Sequence, residues 1–293
     1  MTALSNIIGL LVAAACLSLL PACTPRQAVT GAQEEPTLKV MSYNVRRHVE
    51  SDGENAWPNR RDFLASQIDF YAPDVLGVQE DFPEHVAWLG ERLSTYGRVG
   101  QGREGPNLGE HCSIFYNRRR LEMNKTGTFW LSETPNEVST GWDARYPRVV
   151  TWARFTDRRS GKGFLALNTH LDHQGRRARA NSLDLVLTML PEINPTNLPY
   201  VFMGDFNLRP ESEPMQQLSG KLTDAFVVAP SRLGPEVTFA GFSGDNEGRR
   251  RVDYLMLSAG FEVINYATLT DRIDGRHASD HFPILTTLRL SAR

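Results

Sequence analysis

Short apolar segments rich in β-branched and aromatic residues recur along the chain, and Gly, Pro, Asn or Asp residues bound them. This composition and these boundaries are typical of β-strands. The predicted strands are residues 38–45, 74–80, 113–117, 127–132, 148–155, 163–170, 200–207, 252–258 and 282–290.

Helical patterns are fewer and lie between these strands. In residues 177–190 the leucine and valine side chains follow i, i+3, i+4, i+7 spacing, which places them on one face of a helix. Residues 58–71 and 83–95 give weaker patterns, and each segment begins with a proline, which suits the first position of a helix. Many strands with few helices predict an α/β sandwich in which sheet packs on sheet, rather than a doubly wound parallel sheet.

The first residues differ from the rest of the chain. Residues 7–20 are almost wholly apolar, a run too short to span a bilayer comfortably but suited to a signal peptide. The sequence LPAC that follows resembles a bacterial lipoprotein cleavage box in which Cys23 would receive lipid. No Lys or Arg precedes the run and Pro21 is unusual there, so a cleaved, unlipidated signal is the alternative. The protein is therefore expected to be exported, as a cell-envelope lipoprotein or as a periplasmic or extracellular protein. Its predicted organisation is a signal peptide over 1–23, a flexible tether over 24–36 and one domain over 37–293.

Composition narrows the classes of function. Hydrophobic residues make up 41% and charged residues 23% of the chain, as in an ordinary globular protein. The formal net charge is -2, without the basic excess by which proteins that bind nucleic acid non-specifically neutralise phosphates. Of the three cysteines only Cys112 lies in the predicted domain, so no disulfide framework is predicted.

Polar residues of a particular kind occur at the ends of the predicted strands. They are Asn44, Glu80, Asn168, His170, Asp205, Asn207, Asp280 and His281, and Asp253 lies inside an otherwise apolar strand. A buried acid in a strand needs a partner, and histidine is a natural one. Each residue taken alone is explained by turn chemistry. Their order and spacing together favour a functional site built on a rigid scaffold.

The motifs SYN, GVQE, NTHLDH, GDFN, RVDYLML and SDHFP occur in the order seen in the endonuclease/exonuclease/phosphatase (DNase I-like) superfamily. The chain resembles this superfamily over roughly residues 37–290, and the segment after Trp130 resembles a secreted or lipoprotein subgroup from bacteria. The resemblance implies a four-layer α/β/β/α sandwich, with two packed, mostly antiparallel sheets flanked by helices. It also implies a metal-dependent hydrolase of phosphate esters, with its site at one end of the sheets.

The resemblance further implies a cation site. Glu80 would bind Mg²⁺ or Mn²⁺, hard ions that prefer oxygen ligands and keep several waters. Asn44 and Asp280 would lie close to the ion, which would polarise the scissile phosphate and stabilise the leaving oxygen.

Five residues are predicted to be catalytic on the same basis. Asp253 would orient the ring of His281, which would act as general base or as a charged stabiliser. Asp205 would position or deprotonate the attacking water, and Asn207 would hold phosphate oxygens. His170 would hydrogen-bond the phosphoryl group as negative charge builds. Which of Asp205 and His281 takes the proton stays open.

Substrate contacts are predicted for Asn44 and two arginines. Abasic-site endonucleases carry a metal-binding acid two residues beyond the position of Asn44, where this chain has Arg46. Arginine argues against that branch and suits a bidentate phosphate contact, with a surface arginine as the alternative. Arg148 ends a stretch that begins with residues 129–135 and continues with Trp142 and residues 145–148. This stretch resembles a rim of aromatics and arginines that could stack a base or a sugar ring, with a core role for the tryptophans as the alternative.

The expected function is hydrolysis of a phosphate mono- or diester. A small phosphorylated molecule or lipid headgroup is favoured as substrate because the chain has no basic excess. A secreted nuclease of the DNase or RNase type is the alternative, and a non-catalytic envelope lipoprotein on the same fold is an alternative of another class. Membrane contact is expected only through an N-terminal lipid, no protein partner is evident, and a monomer is expected.

Overall fold

The structure is a computed structural model that describes residues 36–245 and 248–291. The predicted signal peptide, and the predicted tether apart from Pro36, lie outside these residues. No helix within the described ranges is both long and apolar enough to cross a bilayer.

The strands form one seven-stranded and one six-stranded sheet within the described residues. In chain order they are β1 (Thr37–Asn44), β2 (Val75–Gln79), β3 (Tyr96–Val99), β4 (Ile114–Asn117), β5 (Leu121–Trp130), β6 (Val149–Asp157), β7 (Gly163–His170), β8 (Tyr200–Asp205), β9 (Thr223–Asp224), β10 (Arg232–Leu233), β11 (Asp253–Leu257), β12 (Phe261–Thr268) and β13 (Ile284–Leu290). The first sheet has the order β10-β12-β13-β1-β2-β4-β3, and the second has the order β5-β6-β7-β8-β11-β9. The pairs β1–β2, β10–β12 and β7–β8 are parallel, and the other pairs are antiparallel.

Helices cover the outer face of each sheet. They are α1 (Trp57–Tyr71), α2 (Pro83–Arg92), α3 (Arg176–Ile193), α4 (Glu213–Ser219) and α5 (Ala225–Val228), and a 3-10 helix covers Glu50–Asn55. Apolar side chains of α1 and α2 cluster with outward-facing residues of β1 and β2. Those of α3 and α4 cluster with outward-facing residues of β7 and β8. A third cluster lies between the two sheets. The predicted four-layer α/β/β/α sandwich is therefore confirmed.

The inward-facing residues of several strands change from apolar to polar toward one end of the strand. In β7 the inward residues Phe164 and Ala166 join the core between the sheets, whereas Asn168 and His170 continue the same alternation as buried polar residues. Strand β8 repeats this change from Val201 and Met203 to Asp205, and β1 changes from Leu38 and Val40 to Ser42 and Asn44. All these polar ends therefore point into the space between the sheets at one edge of the sandwich.

Asn168 joins the two sheets beneath that edge. Its side-chain amide donates to the carbonyl oxygens of Val78 at 2.8 Å and Ser113 at 2.9 Å, and its oxygen accepts from Gln79 at 2.6 Å. Asn168 lies on the second sheet, whereas its partners lie on or beside β2 and β4 of the first. Because all four residues are fully buried, these hydrogen bonds fix the spacing of the sheets where the polar strand ends begin.

Some elements differ from the predicted ones. The predicted strand 127–132 is the end of the longer β5, and β3, β12 and α4 were not predicted. Strands β5 and β12 each contain a bulge, at Met123/Lys125 and at Val263/Asn265. A bulge inserts an extra residue and shifts the alternation of polar and apolar residues by one position. These strands therefore do not show the regular period of two that marks the others.

Candidate active site

The polar strand ends meet in one row on the second sheet. Asp205 at the end of β8 lies beside His170 of β7 on one side and Asp253 of β11 on the other. Gly204 makes this packing possible, because its φ is 141° and a Cβ atom there would lie 1.9 Å from the carbonyl oxygen of Thr169. The glycine of the GDFN motif is thus required by the close approach of β7 and β8.

His281 and Asp253 form a buried pair at one end of this row. Nδ1 of His281 lies 2.9 Å from a carboxylate oxygen of Asp253, and Nε2 lies 3.7 Å from Asp205. The sequence expectation that Asp253 has a histidine partner is confirmed. Although burial opposes a charged ring, the carboxylates of Asp253, Asp205 and Asp280 raise the pKa of His281 to about 10. The ring is therefore held as a cation whose Nε2 faces Asp205.

Asp205 occupies the centre of the site. Its Oδ2 accepts a hydrogen bond from Asn44 at 3.1 Å and lies 3.5 Å from Nε2 of His170. Its Oδ1 accepts from the backbone N–H of Asn207 at 2.9 Å. Burial and the nearby carboxylate of Asp253 raise the pKa of Asp205 above its usual value. A buried carboxylate with a raised pKa and two imidazoles within reach is suited to accept a proton.

Glu80 and Asp280 supply two more carboxylates on the opposite side, from the first sheet. Glu80 directly follows β2, and its two oxygens accept from Asn44 at 3.2 Å and from the backbone N–H of Arg47 at 3.0 Å. Burial opposes its charge, but nearby histidines, His170 foremost, leave the pKa of Glu80 below its usual value. Burial raises the pKa of Asp280, and Glu80 raises it further, so the two acids repel each other.

These acids fit a divalent cation. A cation between Glu80 and Asp280 would relieve their repulsion, and Mg²⁺ typically uses one or two carboxylates, waters and a substrate phosphate. Asn44, the third predicted ligand, directs its amide N–H toward Glu80, while its oxygen accepts from the backbone N–H of Arg46 at 3.0 Å. Potential ligand atoms of Asp205, Asp253 and His281 also lie within 4.8 Å of one another.

His170 has a second carboxylate partner that the sequence did not indicate. Its Nδ1 lies 2.5 Å from Oε1 of Glu110, and its Nε2 lies 3.1 Å from the side-chain amide of Asn207. Glu110 is held by Arg103 at 2.6 Å and by Arg148 at 3.4 Å. Burial opposes its charge, but His170 and the two arginines hold the pKa of Glu110 far below its usual value. Glu110 therefore remains ionised and fixes the orientation of the His170 ring.

Glu110 and Arg103 lie in the glycine-rich loop between β3 and β4. This loop does not have the spacing of a phosphate-binding loop, and nothing in the local sequence connects it to a histidine 60 positions away. The only local signal is a pair of charged residues in a stretch of glycines, which is equally typical of an exposed loop. The fold, not the loop sequence, brings them to the site.

Arg148 lies at the wall of the cleft. Its guanidinium is 5% exposed, and it approaches Glu110 at 3.4 Å, Asp172 at 3.5 Å and Nδ1 of His173 at 3.3 Å. The predicted contact of Arg148 with substrate remains a prediction, because these contacts use its guanidinium to hold the site together.

Arg46 also has acidic partners. Two of its guanidinium nitrogens donate to Asp52, at 3.1 and 3.2 Å, and a third lies 3.7 Å from Asp280. Burial opposes its charge, but the acids Asp52, Asp280 and Glu80 raise the pKa of Arg46. Arg46 is about a quarter exposed, so it can face both Asp280 and a bound anion at the mouth of the cleft.

Eight of the ten predicted site residues line one cleft of about 320 Å³. The other two, Asn44 and Asp253, lie beneath it and contact the lining residues Asp205 and His281. The backbone of Arg46, Glu80 and Asn207 is left-handed, with φ of 54°, 62° and 49°. Such strain in residues other than glycine concentrates at functional sites.

Aromatic and basic residues form the rim of the cleft. Tyr146 stacks with the ring of His173 and lies 4.7 Å from the guanidinium of Arg103. Phe239 contacts His281 edge-on at 5.0 Å and carries Arg250 over its face at 4.4 Å. Arg47 and Arg250 also line the cleft. Phe239 and Arg47 were not predicted from the sequence as site residues.

Comparison with known proteins gives a consistent result. The profile described as Endonuclease/Exonuclease/phosphatase family matches residues 41–281. A solved endonuclease/exonuclease/phosphatase family protein of Bacteroides thetaiotaomicron is 32% identical, with a TM-score of 0.85 over 89% of this chain and 100% of that chain. A mannosyl-6-phosphatase from the same organism is 34% identical, with a TM-score of 0.81 over 86% of this chain and 99% of that one. An uncharacterised protein of Acanthamoeba polyphaga mimivirus is 27% identical over 85% of this chain and 98% of its own length.

Proposed function

Because this chain belongs to the endonuclease/exonuclease/phosphatase family, we propose that it is a divalent-metal-dependent phosphoesterase that hydrolyses the phosphate monoester of a small, sugar-like molecule. The observation that carries this proposal is the buried row Asp253–His281–Asp205–His170–Glu110, which places imidazoles and carboxylates in alternation at one cleft. Phosphoester hydrolysis needs a group to accept a proton from water and cations to stabilise the phosphoryl oxygens, and this row supplies both.

Cleft size and similarity support a small substrate. A cleft of about 320 Å³ lies at the lower end of the range for sites that bind one small molecule. A relative of 34% identity that matches nearly its whole length is a mannosyl-6-phosphatase. Tyr146 and Phe239 at the rim present ring faces and edges against which a sugar could pack, while the arginines at the rim face its phosphate.

In the proposed mechanism Asp205 accepts the proton of the attacking water. The sequence left this role open between Asp205 and His281. Because carboxylates lie on both sides of His281, at 2.9 and 3.7 Å, its ring carries both protons and is not available as a base. His281 then places its positive charge beside the phosphoryl group. On the other side, the ring of His170, oriented by Glu110, places Nε2 beside the phosphoryl oxygens, and the amide of Asn207, which also donates to the carbonyl oxygen of Leu171, holds that edge of the ring.

Glu80 and Asp280 would hold the divalent cation, with Asn44 fixing the position of Glu80. The bound ion would supply Lewis-acid polarisation of the phosphate and stabilise the leaving oxygen. The trio Asp205, Asp253 and His281 is less suited to it, because a hydrogen bond already joins His281 and Asp253.

A turnover assay tests the proposal. We expect the purified protein to release phosphate from mannose 6-phosphate with Mg²⁺ or Mn²⁺, and to lose this activity in EDTA and in a His281→Ala variant. Inositol phosphates, sphingomyelin, DNA and RNA complete the substrate panel. Cleavage of nucleic acid without turnover of any sugar phosphate would assign the nuclease function instead, and full activity in EDTA would contradict metal dependence.

Glu110→Gln is expected to lower kcat by about 100-fold, because the neutral amide holds the Nδ1 edge of the His170 ring less firmly and its orientation is lost. A purely structural role would change the melting temperature and leave the pH profile of kcat unaltered, so the pH profile is measured on the folded variant. Glu104→Gln is the matched control, because Glu104 lies in the same loop, is exposed, and has its carboxylate 3.6 Å from Arg103. Equal kcat for the two variants would contradict the role of Glu110.

A further inference from the structure

A second groove, of about 720 Å³, opens beside the active cleft. Asn207 lines both, so the two spaces are separated by one side chain that also bonds to His170. The arginines that line the groove are Arg176, Arg177, Arg179 and Arg209. None of them belongs to the catalytic row.

The consecutive residues Leu171 and Asp172 connect the groove wall to the active site through their carbonyl oxygens. Asn207 donates its side-chain amide to the carbonyl oxygen of Leu171 at 3.0 Å, and Arg179 donates to the carbonyl oxygen of Asp172 at 2.8 Å. A ligand held at Asn207 therefore needs to extend only past that residue to reach the arginines of α3.

The positive charge of the groove is only partly offset by nearby acids, since Asp143 interacts with Arg177 and Arg179, and Asp172 interacts with Arg179. The first turn of α3 contains Arg176 and Arg177 and no acid, although positive charge at a helix N-terminus opposes the helix dipole. Asp143 accepts the backbone N–H groups of Arg177 and Ala178, so the helix end is already capped and the arginine side chains are not needed there. Both arginine side chains are exposed in a chain whose formal net charge is -2.

Acidic residues limit where an anion can bind. Glu211 and Glu213 also line the groove, and Glu211 lies 4.0 Å from Arg209 in an exposed pair. The positive part of the groove is thus the side formed by α3, and the segment that leads into this helix is joined to Asn207 through the carbonyl oxygen of Leu171.

We propose that this side of the groove binds a second phosphate group of the substrate, while the scissile phosphate lies in the active cleft. This inference rests on the proposed phosphoesterase function and specifies its substrate further. Arginine binds phosphate through paired, charge-assisted hydrogen bonds, and exposed arginines lose little solvation on doing so. The second phosphate can belong to a small bisphosphate or to the next link of a short phosphodiester chain.

The test compares substrates that carry two phosphates with related substrates that carry one. The pairs are fructose 1,6-bisphosphate with fructose 6-phosphate, and 5′-phosphorylated dithymidylate with thymidine 5′-monophosphate. In an Arg176→Ala/Arg177→Ala variant we expect KM for the doubly phosphorylated member of one pair to rise at least about tenfold, with kcat changed less than about twofold. KM for the singly phosphorylated member stays unchanged. The pair that responds identifies the source of the second phosphate.

The matched control is Arg119→Ala/Arg159→Ala, which removes two exposed arginines from turns at the opposite end of the sheets. Its kinetic constants should equal those of the wild type for all four substrates. Equal changes in KM for both members of each pair, or no change, would overturn the proposal.

A binding measurement distinguishes failure of this inference from failure of the proposed function, because it does not require turnover. If the wild type turns over neither pair, calorimetry of fructose 1,6-bisphosphate and dithymidylate still measures their affinities. Weaker binding of either to the Arg176→Ala/Arg177→Ala variant alone supports the groove as a phosphate site without the catalytic function. Equal affinity for wild type and variant overturns it.

Discussion

Asp205→Asn is expected to lower kcat by about 10⁴-fold, the upper end of the contribution of a positioned acid or base. Asp205 lies between both histidines of the site, at 3.5 and 3.7 Å, and accepts from Asn44 at 3.1 Å. Asparagine keeps the size and can accept one of the two hydrogen bonds, from Asn44 or from the backbone N–H of Asn207, but it cannot take a proton from water. Steady-state release of phosphate measures the effect, with a sensitivity sufficient to follow the residual rate.

The same substitution is expected to leave the protein at least as stable as the wild type at pH 7. The pKa of Asp205 is raised in the folded state by burial and by Asp253, so its carboxylate is less favourable there than in the unfolded chain. Above the unfolded pKa this difference destabilises the fold, and a neutral side chain removes it. Loss of activity with an unchanged or higher melting temperature is the pattern of a residue retained for catalysis.

Asp184→Asn is the matched control, because Asp184 is an exposed acid on α3 that lies 3.7 Å from Lys221. It should retain wild-type kcat. An Asp205→Asn variant that keeps more than about a tenth of the wild-type rate would exclude Asp205 as the base, since a removed base costs at least about 100-fold.

The predictable part of the site is the part carried by strand ends. Asn44, His170 and Asp205 continue the inward alternation of apolar strands, so a pattern with period two places them together once the strands pair side by side. Asp253 was predictable for a different reason, because an acid inside an apolar strand requires a partner. Both arguments use only local sequence and general properties of sheets.

The part that was not predictable depends on contacts between distant segments. Glu110 meets His170 60 positions away, and its loop has the composition of any exposed turn. Strand β12 was missed for a local reason, because its bulge at Val263/Asn265 breaks the alternation. The role of Arg60 was not predictable either, because a charged residue on a helix is expected to face solvent, whereas Arg60 is buried.

Arg60→Met is expected to lower the free energy of unfolding by about 3 kcal/mol, because it leaves several buried carbonyl oxygens without a donor. Arg60 is 4% exposed and donates to the carbonyl oxygens of Asn55 at 2.7 Å, Val45 at 2.5 Å and Ala278 at 2.9 Å. Burial lowers the pKa of Arg60 to about 10, so methionine recovers part of the loss by removing a desolvated charge. Urea denaturation followed by circular dichroism measures the difference.

The carbonyls that Arg60 binds explain why the effect should reach the active site. Val45 and Arg46 follow Asn44, and Ala278 lies just before Ser279, whose hydroxyl donates to the carbonyl oxygen of Asn44 at 2.7 Å. One guanidinium thus joins the segments that carry Asn44 and Asp280, so the folded variant should also show reduced kcat.

Arg61→Met is the control for the Arg60 substitution. Arg61 is the next residue on α1 and is half-buried, and its guanidinium lies 5.2 Å from the ring of Trp88, a contact worth about 0.5–2 kcal/mol. Arg60→Lys should restore the charge but only part of the stability, since an ammonium cannot reach several carbonyls in fixed directions. If Arg60→Met and Arg61→Met were equally stable, Arg60 would not be the residue that joins the two sides of the site.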